Sequence, residues 1–291
     1  MSIHATAPAV KSLIHIAHSP DSDDAFMFYA LKHNKVVSDQ FDFMIERRDI
    51  EELNQNAKMS FYDITAISFH AYVHVLQQYA ILSSGASFGG REYGPLVVSK
   101  NSKLEPDAVV AVPGLLTTAC LLLKIAMPHV RVVAMPFEKI MGAVASDEVT
   151  AGLLIHEGQL HFQNHGLVAN LRLNEVWFDL LRAHQKPDLP LPLGGSAVRK
   201  SLGPQTMQEL SRLQQQSIAY AREHQVEARE YARSFKRDMT AAEADRYLSW
   251  YANDLTLDMG GDGRSAIQFL FDVAFDQKLI PARVSPEIIF P

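Results

Sequence analysis

The segment IAHSPDSDDAFMFYAL, residues 16–31, begins as a strand and ends as a helix. Residues 13–17 form a short apolar run of strand length. Residues 23–34 carry Phe26, Met27, Ala30 and Leu31 on one helical face. Between the two lies a turn crowded with short polar groups: Ser19, Asp21, Ser22, Asp23 and Asp24. Strand, polar turn, helix is the repeating unit of an α/β fold, and its recurrence along the chain sets the architecture.

The unit recurs at once. FDFMIERRD reads as a second strand, residues 50–59 as a short polar helix, and YDITAIS as a third strand ending in small polar residues. FHAYVHVLQQY follows with the pattern of a helix and YGPLVVSK with that of a strand. Near Asp107 the pattern restarts. AVVAVPG, RVVAMPF and TAGLLIHEG are strands, separated by the helices LLTTACLLLKIAM and EKIMGAVASDEV. The halves share an order of elements and no sequence identity. After LPLPLGGSAV the chain turns helical over 205–223, 227–235, 241–257 and 265–278, with Thr240 and Glu243 spaced as a capping box. The glycine-rich stretch DMGGDGRS reads as a turn between helices, since it matches no nucleotide-binding fingerprint. Two α/β lobes are therefore expected: residues 1–98, residues 99–193, and a mostly helical return of 194–291 to the first lobe. Crossings near Ser99 and Leu193 make a hinged clamshell. Its ligand belongs where strand C-termini and helix N-termini face the cleft.

Bulk properties narrow the function. The 27 Lys and Arg against 33 Asp and Glu give a net charge of −6, which argues against nucleic acid or an anionic membrane as the main partner. One cysteine, Cys120, leaves no intrachain disulfide and no thiolate cluster, and its apolar neighbours read as core. No apolar run reaches the ~20 residues of a membrane span, and the first 20 residues lack the pattern of a secretory signal, so a cytoplasmic protein is expected.

Candidate sites follow from the cleft. Ser22 or Asp23 can cap the first helix, and Asp residues suit its positive end. Ser19 and Asp21 can at the same time line the cleft. A metal cage is disfavoured there, because the apolar helix starts immediately and leaves no twelfth-position glutamate. GLLTTA occupies the matching place in the second lobe, where Thr117 and Thr118 either cap the helix or hold a carboxylate or hydroxyl. Thr65 and Ser68 stand at the end of the third strand. His70 and His74 have the spacing of a helical zinc pair but no third ligand, and His161 with His165 repeats that spacing in a glycine-bounded loop. His156 ends the apolar strand AGLLI. It is either a structural histidine or a base aimed at the cleft, with an ordinary pKa of ~6.5 suited to proton abstraction.

The motifs SPDSDDAFMFYAL, YGPLVV, AVPGLLTTA, AGLLIHEGQ and LPLPLGGSAVRKSL, continued by SIAYAREH and YANDLTLDMGGDGRSAIQ, resemble the 1,4-dihydroxy-6-naphthoate synthase family of the futalosine route to menaquinone. The resemblance covers nearly the whole chain. It implies the two-lobed fold of the type II periplasmic binding proteins. It also implies a lyase that splits cyclic dehypoxanthine futalosine into the dihydroxynaphthoate and a sugar-derived fragment, with no metal or organic cofactor. It further implies that His156 is the general base, that Thr118 and Ala119 contact substrate, and that Ala66, Ile67 and Ser68 share the cleft. The loop reads SPDSDD here where bacterial members read SPCPND. The superfamily also holds a chorismate dehydratase and solute-binding proteins. Two further readings therefore stand beside the lyase: that dehydratase, and a binder of a small carboxylate.

Overall fold

The computed structural model describes residues 10–105, 107–156, 158–235 and 239–291. The first lobe starts with β1 (Ser12–His18), α1 (Ser22–Lys32), β2 (Phe41–Arg47), α2 (Ile50–Lys58) and β3 (Ile64–Ser68). β1 pairs in parallel with β2 along its length and with β3 on its other side. Ile14, Ile16 and Ala17 are buried while Leu13 is exposed, so the run is core-facing only from Ile14 on.

The helix expected over 69–79 does not form. The chain makes a single turn, α3 (Phe69–Tyr72), and returns to the sheet as β4 (Tyr79–Leu82) and β5 (Ser87–Gly89). Tertiary pairing overrides the local pattern here. Tyr79–Leu82 is buried throughout, bonded to a later strand, and anchored by the Tyr79 hydroxyl on the Tyr62 carbonyl at 2.6 Å.

The second lobe contains β6 (Leu96–Ser99), β7 (Val109–Val112), α4 (Thr118–Ala126), β8 (Arg131–Ala134), α5 (Phe137–Ala145), β9 (Ala151–Leu154), α6 (Gly158–His161), β10 (Val168–Arg172) and α7 (Leu173–Ala183). β11 (Leu191–Arg199) returns to the first sheet. Leu96–Ser99 was expected to close the first lobe. It pairs antiparallel with β9, so the outward crossing lies between Gly89 and Leu96. Leu193 already lies inside β11, which puts the return crossing at 184–190. Arg91 and Asp188, one on each crossing, form an ion pair with Nε–Oδ2 at 3.1 Å.

Each lobe is wound in the same way. β1 sits between β2 and β3, as β7 sits between β8 and β9. The slot beside the third strand is filled antiparallel by a crossing strand, β11 in the first sheet and β6 in the second.

The C-terminal part is helical: α8 (Pro204–Glu223), α9 (Gln225–Arg233), α10 (Ala241–Tyr251), α11 (Asp254–Leu257) and α12 (Gly260–Asp276). A last strand, β12 (Ile288–Ile289), runs parallel to β4. Thr240 and Glu243 make the reciprocal bonds of a capping box. The glycine-rich stretch is not a turn. It forms the first turn of α12, and glycine at 263 lets that helix lie against β5, since a Cβ there would come within 2.9 Å of the Phe88 ring. Among the described residues no helix is long and apolar enough to cross a membrane.

Candidate active site

Between the two sheets lies a cavity of about 720 Å³, open solvent at its mouth included. Its first wall is the turn after β1. Asp21 occupies the N-cap of α1, but its side chain makes no capping bond, and neither Ser22 nor Asp23 is the cap. The polar groups serve one another instead. The Ser19 hydroxyl donates to Asp21 Oδ2 at 2.9 Å, the Ser19 N–H to Asp24 Oδ2 at 2.7 Å, and the Ser87 hydroxyl to Asp23 Oδ2 at 3.3 Å.

All three aspartates are buried. Burial, and then the Asp21 charge, push the Asp24 carboxyl from its ordinary 3.8 up to about 6. Burial, and then the charges of Asp24 and Asp21, push Asp23 well above its ordinary range. For Asp24 this sets a sign. Its stabilising state is the protonated one, complete below pH ~4 and lost as pH rises through about 6. Asp24→Asn is therefore expected to stabilise the protein at pH 8 by on the order of 2–3 kcal/mol, at about 1.4 kcal/mol per pKa unit, and to leave it unchanged below pH ~4. Urea unfolding at the two pH values measures this. Lower stability of the variant at pH 8 would contradict it.

The end of β3 supplies Ala66, Ile67 and Ser68 to the cavity. Asn54 on α2 fixes Ser68 from behind. It accepts the Ser68 N–H at 2.9 Å and donates to its hydroxyl at 3.1 Å. Thr65 does not reach the cavity. It is fully buried between its strand neighbours and donates to the Ala66 carbonyl at 3.0 Å.

The opposing wall comes from the second lobe. Thr117 caps α4, accepting from the Cys120 N–H at 3.2 Å and donating to the Gly114 carbonyl at 2.9 Å. The Thr118 hydroxyl donates across the cleft to the Leu193 carbonyl and accepts the His70 N–H at 3.2 Å. Both hydroxyls are thus committed to the protein. The groups left for a ligand are the Thr118 and Ala119 N–H groups, which open α4 ahead of the first N–H bonded within the helix, that of Leu121 to the Thr117 carbonyl. His70 is buried, which lowers its pKa to about 4 and keeps it neutral, with Nδ1 3.3 Å from the Thr117 carbonyl. His161 lies on α6, 3.7 Å from Glu243. Cys120 is buried on α4, its thiol pushed up to about 11.

His156 follows β9 with φ +50°, a left-handed conformation rare for a residue with a side chain and characteristic of functional turns. The imidazole stands edge-on to Phe137, with ring centroids 5.3 Å apart. Its Nδ1 lies 2.5 Å from Asp21 Oδ2, across the cleft. The structure thus brings together Ser19 and Asp21, the end of β3, the start of α4, and His156, and leaves only Thr65 outside.

Several residues escaped the sequence reading. Gln159 accepts the Gly94 N–H at 3.1 Å and donates to the Tyr251 hydroxyl at 3.1 Å. Tyr247 and Tyr251, on α10, close the cavity from above. Gln159 stands three residues after His156, the one signal that could have found it. The tyrosines belong to a helix distant in sequence.

Comparison with known proteins adds to this geometry. A family model described as menaquinone biosynthesis matches residues 14–276. Two curated relatives are named 1,4-dihydroxy-6-naphthoate synthase. The one from Thermus thermophilus is 34% identical over 279 residues, spanning 95% of this chain and 98% of the relative. The one from Streptomyces coelicolor is 32% identical over 285 residues, spanning 96% and 98%. Among solved structures, a protein from Archaeoglobus fulgidus is 43% identical with a TM-score of 0.84, covering 92% of this chain and 98% of its own. The ligand-binding component of an ABC-type import system from Staphylococcus aureus has a TM-score of 0.66 at 12% identity, covering 97% of both chains, and shows the fold alone: that of the periplasmic binding proteins.

Proposed function

The chain belongs to the menaquinone-biosynthesis family, and on that premise we propose that it is the carbon–carbon lyase that converts cyclic dehypoxanthine futalosine to 1,4-dihydroxy-6-naphthoate, with His156 as general base. The observation that carries the catalytic part is the position of His156: at a strand end of the second lobe, inside the cavity, with its Nδ1 held by a carboxylate of the first.

The cleft is electrostatically lopsided, and this orients a substrate bearing both a carboxylate and hydroxyls. Its carboxylate suits the opening turn of α4, where N–H groups and the helix dipole favour an anion. Its hydroxyl-bearing sugar suits the wall of Asp23 and Asp24, whose carboxyl groups can exchange hydrogen bonds with hydroxyls. Abstraction of a proton beside a carbonyl needs a base and donors for the developing oxyanion. His156 supplies the first, and N–H and hydroxyl groups along the cavity supply the second. Expulsion of the sugar fragment then completes an aromatic ring, which drives the reaction.

Incubating the purified protein with the cyclic substrate and following naphthoate formation tests the proposal. A pure binder would saturate and release the substrate unchanged. Among the described residues no group of three or more His, Cys, Asp or Glu is arranged to hold a metal ion. Turnover is accordingly expected to survive dialysis against a chelator. Loss of activity restored by one divalent ion would overturn that expectation.

A further inference from the structure

We propose that Asp21 is the positioning residue of His156: its carboxylate holds the imidazole as the Nδ1–H tautomer and leaves Nε2 as the proton acceptor. The assignment rests on the reading of His156 as base and gives Asp21 a role other than contact with substrate.

The geometry carries it. Asp21 Oδ2 lies 2.5 Å from His156 Nδ1, with side-chain exposures of 4% and 16%. The same oxygen accepts the Ser19 hydroxyl at 2.9 Å, and the Asp21 N–H donates back to that hydroxyl at 3.2 Å. An oxygen that takes two donors is acting as a carboxylate acceptor, and the Ser19 loop prevents it from swinging away. A histidine ring donating Nδ1–H to a carboxylate has one tautomer and one orientation. When Nε2 takes the proton from carbon, the electron pair passes into the adjacent carbonyl. The imidazolium so formed lies against the Asp21 anion. The neighbouring carboxyls Asp23 and Asp24 face the same imidazole from α1, and Tyr247 and Tyr251 face the cavity from α10. Asp21 is the carboxylate in contact with Nδ1.

The pair also spans the hinge. Asp21 follows β1 in the first lobe and His156 follows β9 in the second. The base is therefore oriented only when the lobes are together, as they are in this structure, which ties proton abstraction to closure.

Asp21→Asn tests the assignment, since it keeps the shape and removes the charge. Its kcat is expected to fall ~10–100-fold, as for loss of a partner that orients a histidine, with KM changed by less than about threefold. The rise of kcat with pH should move to lower pH, because an adjacent anion favours the protonated imidazole and its loss frees the base earlier. The double variant with His156→Asn should be no slower than His156→Asn alone. Wild-type kcat and pH profile in folded Asp21→Asn would overturn the assignment. So would a loss confined to KM, or effects that multiply in the double variant, since these mean direct action on substrate. Full turnover by His156→Asn would instead remove the base reading itself, a separate outcome. Should Asp21→Asn fail to fold, Ser19→Ala frees the same carboxylate, and should show a smaller fall in kcat at unchanged KM. Unchanged kcat in that variant would count against the proposal.

Discussion

His156→Asn protein is expected to fold, to bind substrate nearly as well as the parent, and to turn it over ~10²–10⁴-fold more slowly, the usual worth of a positioned general base. Asparagine is the informative choice for two reasons. Position 156 has φ +50°, where asparagine is among the best tolerated residues, so the substitution adds no backbone strain. Its amide can also donate to Asp21 in place of Nδ1, so the buried carboxylate keeps a partner. What it lacks is a group that takes a proton near neutral pH. The parent rate should rise with pH through one ionisation, because only the neutral ring is a base, and the variant should lose that dependence. A solute binder predicts a change in affinity alone. A purely structural histidine predicts a lower melting temperature with chemistry intact in the folded fraction. Melting temperature, affinity and single-turnover rate on this variant separate the three. A well-folded variant at the parent rate removes His156 from the mechanism.

What the sequence revealed, and where it misled, has physical causes. The hand-over at residues 16–31 was legible because a short strand and a helix differ in the spacing of their apolar residues, even though α1 is buried from Ser22 to Leu31, and the same contrast marked its echo around α4. β4 was missed because FHAYVHVLQQY has apolar residues at spacings that suit a helix, while the strand that follows owes its state to partners distant in sequence. β11 went unassigned because prolines argue against a central strand. Pro192 is tolerated where the register with β5 shifts. Within the site, residues at strand ends and at the start of α4 could be named, since α/β topology sends those points to the cleft. Which atoms meet could not. Thr65 and Ala66 are adjacent, yet one is sealed in the sheet and the other lines the cavity. The threonine hydroxyls of α4 could be read either as caps or as ligand contacts; they are spent on the cap and on the Leu193 carbonyl. The Asp21–His156 contact joins two loops whose proximity exists only in the folded clamshell.

Closure itself makes the second large prediction, at Gly114. This residue follows β7 in the second lobe and packs directly on Glu51 of α2 in the first. A Cβ there would lie 2.2 Å from Glu51 Oε2 and 2.7 Å from Glu51 Cβ, closer than a Cβ comes to any non-bonded heavy atom. Glu51 meanwhile accepts the Leu116 N–H at 3.2 Å, a hydrogen bond made only with the lobes together. Gly114→Val therefore wedges the cleft. Each lobe keeps its own packing, so the unliganded melting temperature should change little. The half of the site on the first lobe can no longer meet His156, and a misplacement of about 1 Å is enough to cost ~10²-fold. A fall in kcat/KM of at least that size is expected. In the parent, a ligand at ~100 times its dissociation constant should add ~2.7 kcal/mol to stability and make the particle more compact by small-angle scattering. In Gly114→Val both responses should shrink. Glu51→Gly removes the atoms that a side chain at 114 would strike, at ~1 kcal/mol of helix propensity in α2. Combined with Gly114→Val it should recover part of the lost kcat/KM, although alone it weakens closure by deleting the Leu116 bond. Damage from two single changes that partly cancels in the pair is the signature of a steric wedge. Parent-level turnover and compaction in Gly114→Val, or no recovery in the pair, would show that closure does not run through this contact.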